Sequence, residues 1–178
     1  MKKLHLFSMV CLLTLLVISL ASCGKEEYDT NPRGNGNSDG EYVDLGLPSG
    51  TKWKTSNETK EDGCEFYTYE EAERAFGNKV PAKWQYEELM QYCLWEWQSD
   101  VGYKVSSYDR TSYIILPAAG SRSDEGHEFG HGEVGLYWSS TNYEIPDEAW
   151  RLKFLQSWKG MNHEDYCWGF SIRLVKNE

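Results

Sequence analysis

From Leu94 onward, apolar residues recur at every second position, which is the period of a β-strand with one buried face. Six such segments follow one another, separated by polar or glycine-bearing turns: LWEW, GYKVSS, SYIILPAAG, LYWSST, AWRLKFLQ and CWGFSIRLV. A chain that alternates over so long a stretch buries its apolar residues by pairing strands. The sequence therefore predicts a mostly antiparallel, twisted sheet with long loops.

A hairpin and two short helices are predicted ahead of these strands. YVDLGLPSGTKWKTSN alternates on both sides of a Pro-Ser-Gly turn, as a hairpin does. Thr68 and Glu71 have the spacing of a capping box, which predicts a helix that continues to Phe76 and ends at Gly77. A second helix is predicted over Ala82 to Tyr92. Two short helices packed on a sheet place the domain in the α+β class.

Residues 1–22 have the pattern of an export signal. Lys2 and Lys3 precede the apolar run LFSMVCLLTLLVISL, which is too short for a stable membrane span. The following Leu20-Ala21-Ser22-Cys23 matches the lipobox of bacterial lipoproteins, in which the cysteine is lipidated and the chain is cleaved before it. We therefore expect a lipoprotein signal peptide and a lipid on Cys23. The alternative is an ordinary secretory signal followed by a chance cysteine.

Residues 23–40 are polar and rich in glycine and asparagine, so they cannot bury enough surface to fold. We predict that they form a flexible tether and that residues 41–178 form the folded domain. The Lys-acidic cluster at residues 24–29 is similar to the export signal of surface lipoproteins in Bacteroidota; a solvated acidic linker is the alternative. We expect a protein anchored through its lipid in the bacterial outer membrane, facing the cell exterior.

The charge balance argues against a nucleic-acid partner. The chain has 18 basic and 28 acidic residues, for a formal net charge of −10, and loss of Lys2 and Lys3 with the signal would make it more acidic. A polyanion would be repelled by this charge. No run of lysine and arginine interleaved with aromatics is present. We therefore predict no nucleic-acid partner.

Three cysteines remain once Cys11 leaves with the signal and Cys23 is lipidated. An odd number in an exported protein allows one disulfide and one free thiol. We favour Cys64 with Cys93, because both belong to the helical half, which leaves Cys167 free; the sequence leaves the connectivity open. No C-x-x-C occurs, so neither a redox dithiol nor a cysteine-rich zinc site is indicated.

The stretch GHEFGHGEVG contains His127-Glu128-Phe129-Gly130-His131, which is the H-E-x-x-H pattern of zinc peptidases. That pattern requires a helix, because i, i+4 spacing on a helix directs two imidazoles at one metal ion. The four glycines from Gly126 to Gly135 each cost about 1 kcal/mol in a helix interior, and a third ligand is missing at the expected spacing. We predict a glycine-rich surface loop between two strands. The alternatives are adventitious metal binding by the two histidines and a zinc-dependent hydrolase.

The order of segments along the domain resembles a known family. YVDLGLPSGTKW, KVPAKWQYEELMQYCLWEW, ILPAAGSR, YWSST, AWRLKF and GFSIRLV follow one another as in the Fibrobacter succinogenes major paralogous domain, which is common in surface lipoproteins of gut Bacteroidota. The resemblance covers nearly all of residues 41–178 and implies a C-type-lectin-like fold. It also implies that Ala82 occupies a position that is usually threonine, so the second helix would lack a capping hydroxyl worth about 1 kcal/mol.

The same resemblance argues against calcium-dependent sugar binding and against catalysis. Only Pro146 and Asp147 match half of the calcium-binding loop of such lectins, and their Trp-Asn-Asp segment is absent. The related formylglycine-generating enzymes use paired cysteines near the C terminus, where Cys167 stands alone. We therefore expect no enzyme activity and no cofactor.

The C-terminal segments supply the candidate site. In AWRLKFLQ, the apolar residues Trp150, Leu152 and Phe154 are predicted to enter the core, which turns Arg151 and Lys153 outward. The predicted loop QSWKGMNHEDYCW presents aromatic and polar side chains beside them, which suit recognition of a glycan or a protein. The candidate ligand-binding residues are Arg151, Lys153, Trp158, Asn162, His163, Tyr166 and Trp168.

These observations together predict a non-catalytic, lipid-anchored binding module whose ligand is a glycan or a protein. In C-type-lectin-like folds the C-terminal face commonly binds the ligand, so the resemblance implies the same face for this chain. Two alternatives stay open. One is the zinc hydrolase, and the other is a structural subunit of a surface assembly, which a large self-complementary apolar patch would indicate.

Overall fold

Within residues 41–177, which the computed structural model describes, the chain forms eleven strands in four small sheets and two α-helices. This mixture confirms the predicted α+β class. The predicted signal peptide at residues 1–22, and Cys23 with its tether, lie outside the described residues. None of the helices that are described has the length and apolar character needed to cross a membrane.

The first sheet joins the two ends of the domain. β1 (Tyr42–Asp44) pairs antiparallel with β2 (Lys52–Lys54), which confirms the predicted hairpin. β11 (Val175–Lys176) also pairs antiparallel with β2. Trp53 at the centre of β2 is fully buried, so its side chain anchors this small sheet in the core.

The first helix forms where the capping box predicts it. α1 covers Tyr69–Phe76, and Gly77 ends it with a φ of 52°. Thr68 Oγ1 accepts a hydrogen bond from the Glu71 N–H (3.3 Å), and the Glu71 carboxylate accepts one from the Thr68 N–H (2.9 Å). Local sequence therefore sets both ends of this helix.

Two smaller antiparallel sheets are built from sequential strands. β3 (Leu94–Gln98), β4 (Gly102–Ser106) and β5 (Tyr113–Pro117) pair in that order. β6 (Ser121–Arg122) pairs with β7 (Glu128–Phe129). The short connections between β3, β4 and β5 make this part of the fold a simple meander.

The largest sheet contains three strands of eight residues in the order β10, β9, β8. β8 covers Gly135–Asn142, β9 covers Glu148–Leu155 and β10 covers Trp158–Asp165. Both pairs are antiparallel, and β10 forms an edge. The prediction of a loop over residues 156–168 is wrong for β10, because continuous pairing with β9 outweighs the low strand propensity of its glycine, asparagine and aspartate.

The segment CWGFSIRLV is not the continuous strand that its alternation predicts. Only Val175 of this segment belongs to a strand. Gly169, Phe170 and Ser171 form isolated bridges to three other segments, at Arg122, Tyr67 and Tyr137 respectively. The alternating apolar residues of the segment are nevertheless buried, because the chain here passes between structural elements instead of extending one sheet.

Helix α2 (Lys83–Tyr92) begins without a capping side chain of its own, because residue 82 is alanine. Its first N–H groups find other acceptors. Gln85 Oε1 accepts from the Ala82 N–H (2.8 Å), and Thr141 Oγ1 of β8 accepts from the Lys83 N–H (3.0 Å). A hydroxyl from a distant strand therefore replaces the one that the resemblance implies is missing.

Alternate residues of β8 and β9 enter two different apolar clusters. Tyr137 and Leu152 join the cluster that contains residues of α2 and of the β3–β4–β5 sheet. Trp138 and Ala149 join the cluster that contains residues of α1 and of the C-terminal segment. These two strands are therefore buried on both faces, whereas no residue of β10 is fully buried.

Carbonyl and amide oxygens surround the buried guanidinium of Arg173. Nη2 donates to the Ile115 carbonyl (2.6 Å), Nη1 to the Lys54 carbonyl (2.8 Å) and Nε to Asn57 Oδ1 (2.9 Å). One side chain thus connects the C-terminal segment with β5, with β2 and with the loop after β2. Burial lowers the pKa of Arg173, and the neighbouring Tyr137 opposes that shift.

We predict that Arg173→Met lowers the free energy of unfolding by about 3–5 kcal/mol, because three oxygens lose their donors. Arg110→Met is the control, since Arg110 forms an exposed ion pair with Glu96 (2.7 Å) whose loss costs at most about 1 kcal/mol. Urea unfolding followed by tryptophan fluorescence measures both changes. Equal losses in the two variants would contradict the structural role of Arg173.

Candidate ligand-binding face

Three of the predicted ligand-binding residues share one face of the β9–β10 hairpin. In the strand register, Gly160 lies opposite Lys153, and Trp158 lies opposite Leu155. Because side chains alternate along a strand, Trp158, Gly160 and Asn162 project to the same side as Lys153 and Leu155. We refer to these five residues as the Trp158 face.

The indole ring of Trp158 lies over Gly160. A Cβ atom on residue 160 would come within 2.9 Å of Trp158 Cζ2 and 3.1 Å of Cη2, so the missing side chain makes room for the ring. Trp158 is nevertheless 47 % exposed. An aromatic ring that rests on a strand and still faces solvent offers apolar contact area at a low entropy cost.

Polar groups flank this ring. Lys153 pairs with no other side chain in residues 41–177. Asn162 Oδ1 accepts a hydrogen bond from the His163 N–H (2.8 Å), which leaves the two Nδ2 protons free to donate. The exposed Leu155 adds apolar area beside Trp158. The face thus combines a flat ring with an ammonium group and an amide.

The prediction that Arg151 faces outward is wrong. Only 6 % of the residue is exposed. Its Nη2 lies 3.1 Å from Glu164 Oε2, and its guanidinium carbon lies 5.1 Å from the centre of the Phe170 ring. Burial lowers the pKa of Arg151, and Glu164 opposes that shift. The alternation of apolar and polar residues along β9 does not predict that the C-terminal segment covers Arg151.

His163 lies on the opposite side of β10 from Asn162. Its ring stacks on Tyr143 with the ring centres 3.7 Å apart, and its Nδ1 contacts the Glu148 carboxylate. These contacts occupy the ring and one nitrogen of the imidazole. The strand separates His163 from Trp158, so the two residues do not form one site.

Trp150 does not enter the core with Leu152 and Phe154 as predicted. Those two residues are fully buried, whereas Trp150 is half-buried. Its ring meets Tyr143 edge-on (5.0 Å), and the Lys83 ammonium lies 3.7 Å above it. The start of α2 thus covers Trp150 with a cationic side chain rather than an apolar one.

Tyr166 and Trp168 follow the end of β10 and cover the apolar cluster beside α1. Tyr166 stacks on Tyr69 at 4.3 Å, and Trp168 stacks on Phe170 at 6.5 Å. The ends of an eight-residue strand lie roughly 23 Å apart. Neither aromatic ring therefore joins Trp158 on its face.

The H-E-x-x-H stretch forms no helix, as predicted from its glycines. Glu128 and Phe129 form the short strand β7, and Gly126, Gly130 and Gly132 have positive φ angles of 88°, 72° and 78°. The helical spacing that would direct both imidazoles at one metal ion is thus absent. No group of three or more His, Cys, Asp or Glu residues between 41 and 177 is arranged to share a metal ion.

The favoured pairing of Cys64 with Cys93 is wrong, since both are free thiols, as is Cys167. Cys93 ends α2 inside the core, and burial raises its pKa to about 12. Cys64 lies in the loop before α1, where its Sγ accepts a hydrogen bond from Arg122 (3.1 Å). Cys64 and Cys93 both belong to the helical half, but their thiols are not bonded to each other.

No family model, no characterised protein and no solved structure matches this chain. The resemblance to the Fibrobacter succinogenes major paralogous domain therefore stays a prediction. An inference about function therefore depends on the α+β fold and on the Trp158 face. Gly160 was missed as a site residue, because a glycine two positions after a tryptophan indicates a covering ring only in a strand, and this segment was predicted to be a loop.

We predict that Gly160→Val displaces the Trp158 ring and leaves the free energy of unfolding unchanged or up to about 1 kcal/mol higher, because valine favours strands. In the wild-type chain, the ring should shift the Gly160 Hα resonances upfield. Trp158→Ala is the control that removes this shift by removing the ring. NMR and urea unfolding test both points. Upfield Hα resonances that survive Trp158→Ala would show that the ring does not lie over Gly160.

Proposed function

We propose that this chain is a non-catalytic, lipid-anchored surface module that binds a glycan through the Trp158 face. The observation that carries the proposal is the exposed indole lying over Gly160. A pyranose presents an apolar face of C–H groups, which packs on such a ring, and hydroxyls at its rim, which accept hydrogen bonds. Lys153 and Asn162 supply donors on the same face as the ring.

A glycan suits this face better than a protein ligand does. A stable protein interface buries roughly 800 Å² on each partner and is centred on several aromatic or arginine side chains. The Trp158 face offers one ring, one leucine and two polar groups. A surface of this size matches a few sugar units. We therefore propose a glycan first and a protein as the second candidate ligand.

The anchoring part of the proposal rests on the sequence of residues 1–40. The lipobox at Cys23 and the acidic cluster after it support attachment to the outer membrane through lipid, with the domain facing the exterior. The two helices and small antiparallel sheets are compatible with a C-type-lectin-like fold of the Fibrobacter succinogenes major paralogous kind. That assignment supports a C-terminal ligand surface.

We expect the purified chain to bind members of a glycan array, and Trp158→Ala to weaken that binding at least about tenfold. Trp84→Ala is the matched control, because Trp84 in α2 is 50 % exposed and lies outside the Trp158 face. It should bind like the wild-type chain. Equal losses in the two variants would contradict the proposed face, and no binding to any glycan would leave a protein as the ligand.

Zinc content and peptide hydrolysis test the alternative that the chain is a zinc hydrolase. We expect the purified chain to contain no stoichiometric zinc and Glu128→Ala to behave like the wild-type chain in peptide hydrolysis assays, because residues 127–131 are not helical. Elemental analysis and hydrolysis rates test this directly. One zinc per chain, with turnover that is lost in Glu128→Ala, would replace the binding proposal by the enzyme.

The structural-subunit alternative has no specific support in the described residues. Leu155 and Trp158 lie side by side on the Trp158 face, and Trp84 and Tyr92 lie about two turns apart on α2. The other exposed large apolar side chains, Tyr108, Phe129 and Ile145, belong to different segments. A large self-complementary interface instead needs a contiguous apolar patch. We therefore do not propose this function.

A further inference from the structure

One edge of the largest sheet has no neighbouring strand in residues 41–177, because β10 pairs with β9 alone. The short turn from Leu155 to Trp158 makes these two residues a hydrogen-bonded pair, so every second residue of β10 from Trp158 onward bonds to β9. The backbone groups of the alternate residues point away from β9. We call them the β10 edge: the N–H and C=O groups of Lys159, Met161, His163 and Asp165.

Most groups of the β10 edge have no hydrogen-bond partner in residues 41–177. The N–H groups of Lys159, Met161 and Asp165 find no acceptor there, whereas the His163 N–H donates to the Asn162 side chain (2.8 Å). Helix α2 packs on one face of the sheet, across its three strands, and not beside β10. A strand of eight residues with such an edge is a template on which another strand can pair.

Two charged side chains of β10 have no partner of opposite charge in residues 41–177. The Lys159 ammonium lies 5.3 Å from the centre of the Trp95 ring, and Asp165 is exposed. Both side chains project to the same side of the strand, because an even number of positions separates them. The unpaired cation therefore stands near one end of the strand and the unpaired anion at the other.

These two charges match a second copy of the same strand. When two β10 edges pair antiparallel with Asn162 opposite Asn162, Lys159 of each copy lies opposite Asp165 of the other. The same register places Met161 opposite His163, so every residue of one edge meets a residue of the other. Registers centred on Lys159 or on Asp165 instead place like charges opposite each other. The charges of β10 thus specify one register.

We propose that β10 pairs with β10 of a second copy of this chain, which joins two three-stranded sheets into one sheet about a twofold axis at Asn162. Backbone hydrogen bonds and the Lys159–Asp165 pairs hold the copies together. The His163 N–H must exchange Asn162 for a carbonyl of the second copy, and the contact area is small, so the dimer is weak. Attachment to a membrane, as proposed above, raises the effective concentration of the copies.

The pairing would place both Trp158 faces on the same side of the joined sheet, because the twofold axis is perpendicular to the sheet. Trp158 lies four positions from Asn162, so the two indole rings would lie roughly 27 Å apart along the strands. A glycan chain that reaches both rings gains avidity. This gain rests on the proposed glycan binding, whereas the pairing of the strands does not.

Sedimentation equilibrium of the purified chain tests the pairing. We expect a dimer with a dissociation constant on the order of 0.1 mM. Lys159→Glu and Asp165→Lys each place like charges opposite each other and should weaken the dimer at least about tenfold. The double variant Lys159→Glu/Asp165→Lys restores opposite charges, so its dissociation constant should return to within about threefold of the wild-type value. Lys104→Glu in β4 is the control with the same change of charge, and it should dimerise like the wild-type chain.

An introduced thiol at the axis tests the register. Asn162→Cys places two thiols opposite each other at a non-hydrogen-bonded pair, where the Cα atoms are about 4.5 Å apart, so mild oxidation should link the copies. Trp158→Cys is the matched control, because its thiols would lie roughly 27 Å apart. Both variants are made together with Cys167→Ser, since Cys167 is an exposed free thiol.

A dimer that is lost in each single charge variant, restored in the double variant and linked through residue 162 supports the proposal. A wild-type chain that stays monomeric up to about 1 mM would overturn it and leave the β10 edge to a peptide strand of another protein. A dimer that both single charge variants leave intact would place the interface elsewhere and overturn it as well. Glycan binding by the Trp158 face is measured separately, so its failure and the failure of the pairing are distinguishable.

Discussion

The guanidinium of Arg173 connects three other parts of the chain through hydrogen bonds made inside the core. It donates to carbonyls at Lys54 and Ile115 and to the amide of Asn57. The hydroxyl of Tyr137 extends the network, because it accepts from Asn57 Nδ2 (3.2 Å) and donates to the Pro117 carbonyl (2.8 Å). A cation without a carboxylate partner is stable inside a protein only when several oxygens replace its water. That requirement fixes β2, β5 and β8 relative to one another.

A sequence prediction was correct where the deciding interaction joins residues close in sequence, and it failed where that interaction is a tertiary contact. α1 was predicted from Thr68 to Gly77 because its capping groups lie within one turn of its ends. β10 was missed because its pairing with β9 is a tertiary contact, and glycine, asparagine and aspartate give no strand signal. The start of α2 depends in the same way on Thr141, which is far away in sequence. Local chemistry therefore predicted the ends of α1, but neither β10 nor the cap of α2.

The candidate site shows the same division between local and tertiary causes. Lys153, Trp158 and Asn162 were chosen for their chemistry, and the hairpin register does bring them to one face. Arg151 and His163 have equally suitable side chains but are used within the fold, by Glu164 and Glu148 respectively. Whether a polar residue of a strand serves the ligand or the core depends on what packs over it. For Arg151 this is the C-terminal segment, whose path alternation did not predict.

Gly160 weakens the edge strand in which it lies, since glycine has high backbone entropy and no side chain to pack. A bulkier residue would pair with β9 at least as well and would displace the Trp158 ring. The position therefore gains no stability from glycine and gains a fixed, exposed ring. Local sequence choices that oppose stability are expected where a protein meets its ligand. Lys153, which pairs with no other side chain in residues 41–177, lies on the same face as that ring. The fixed ring and the unpaired ammonium group therefore coincide on the Trp158 face, which is where we place the ligand.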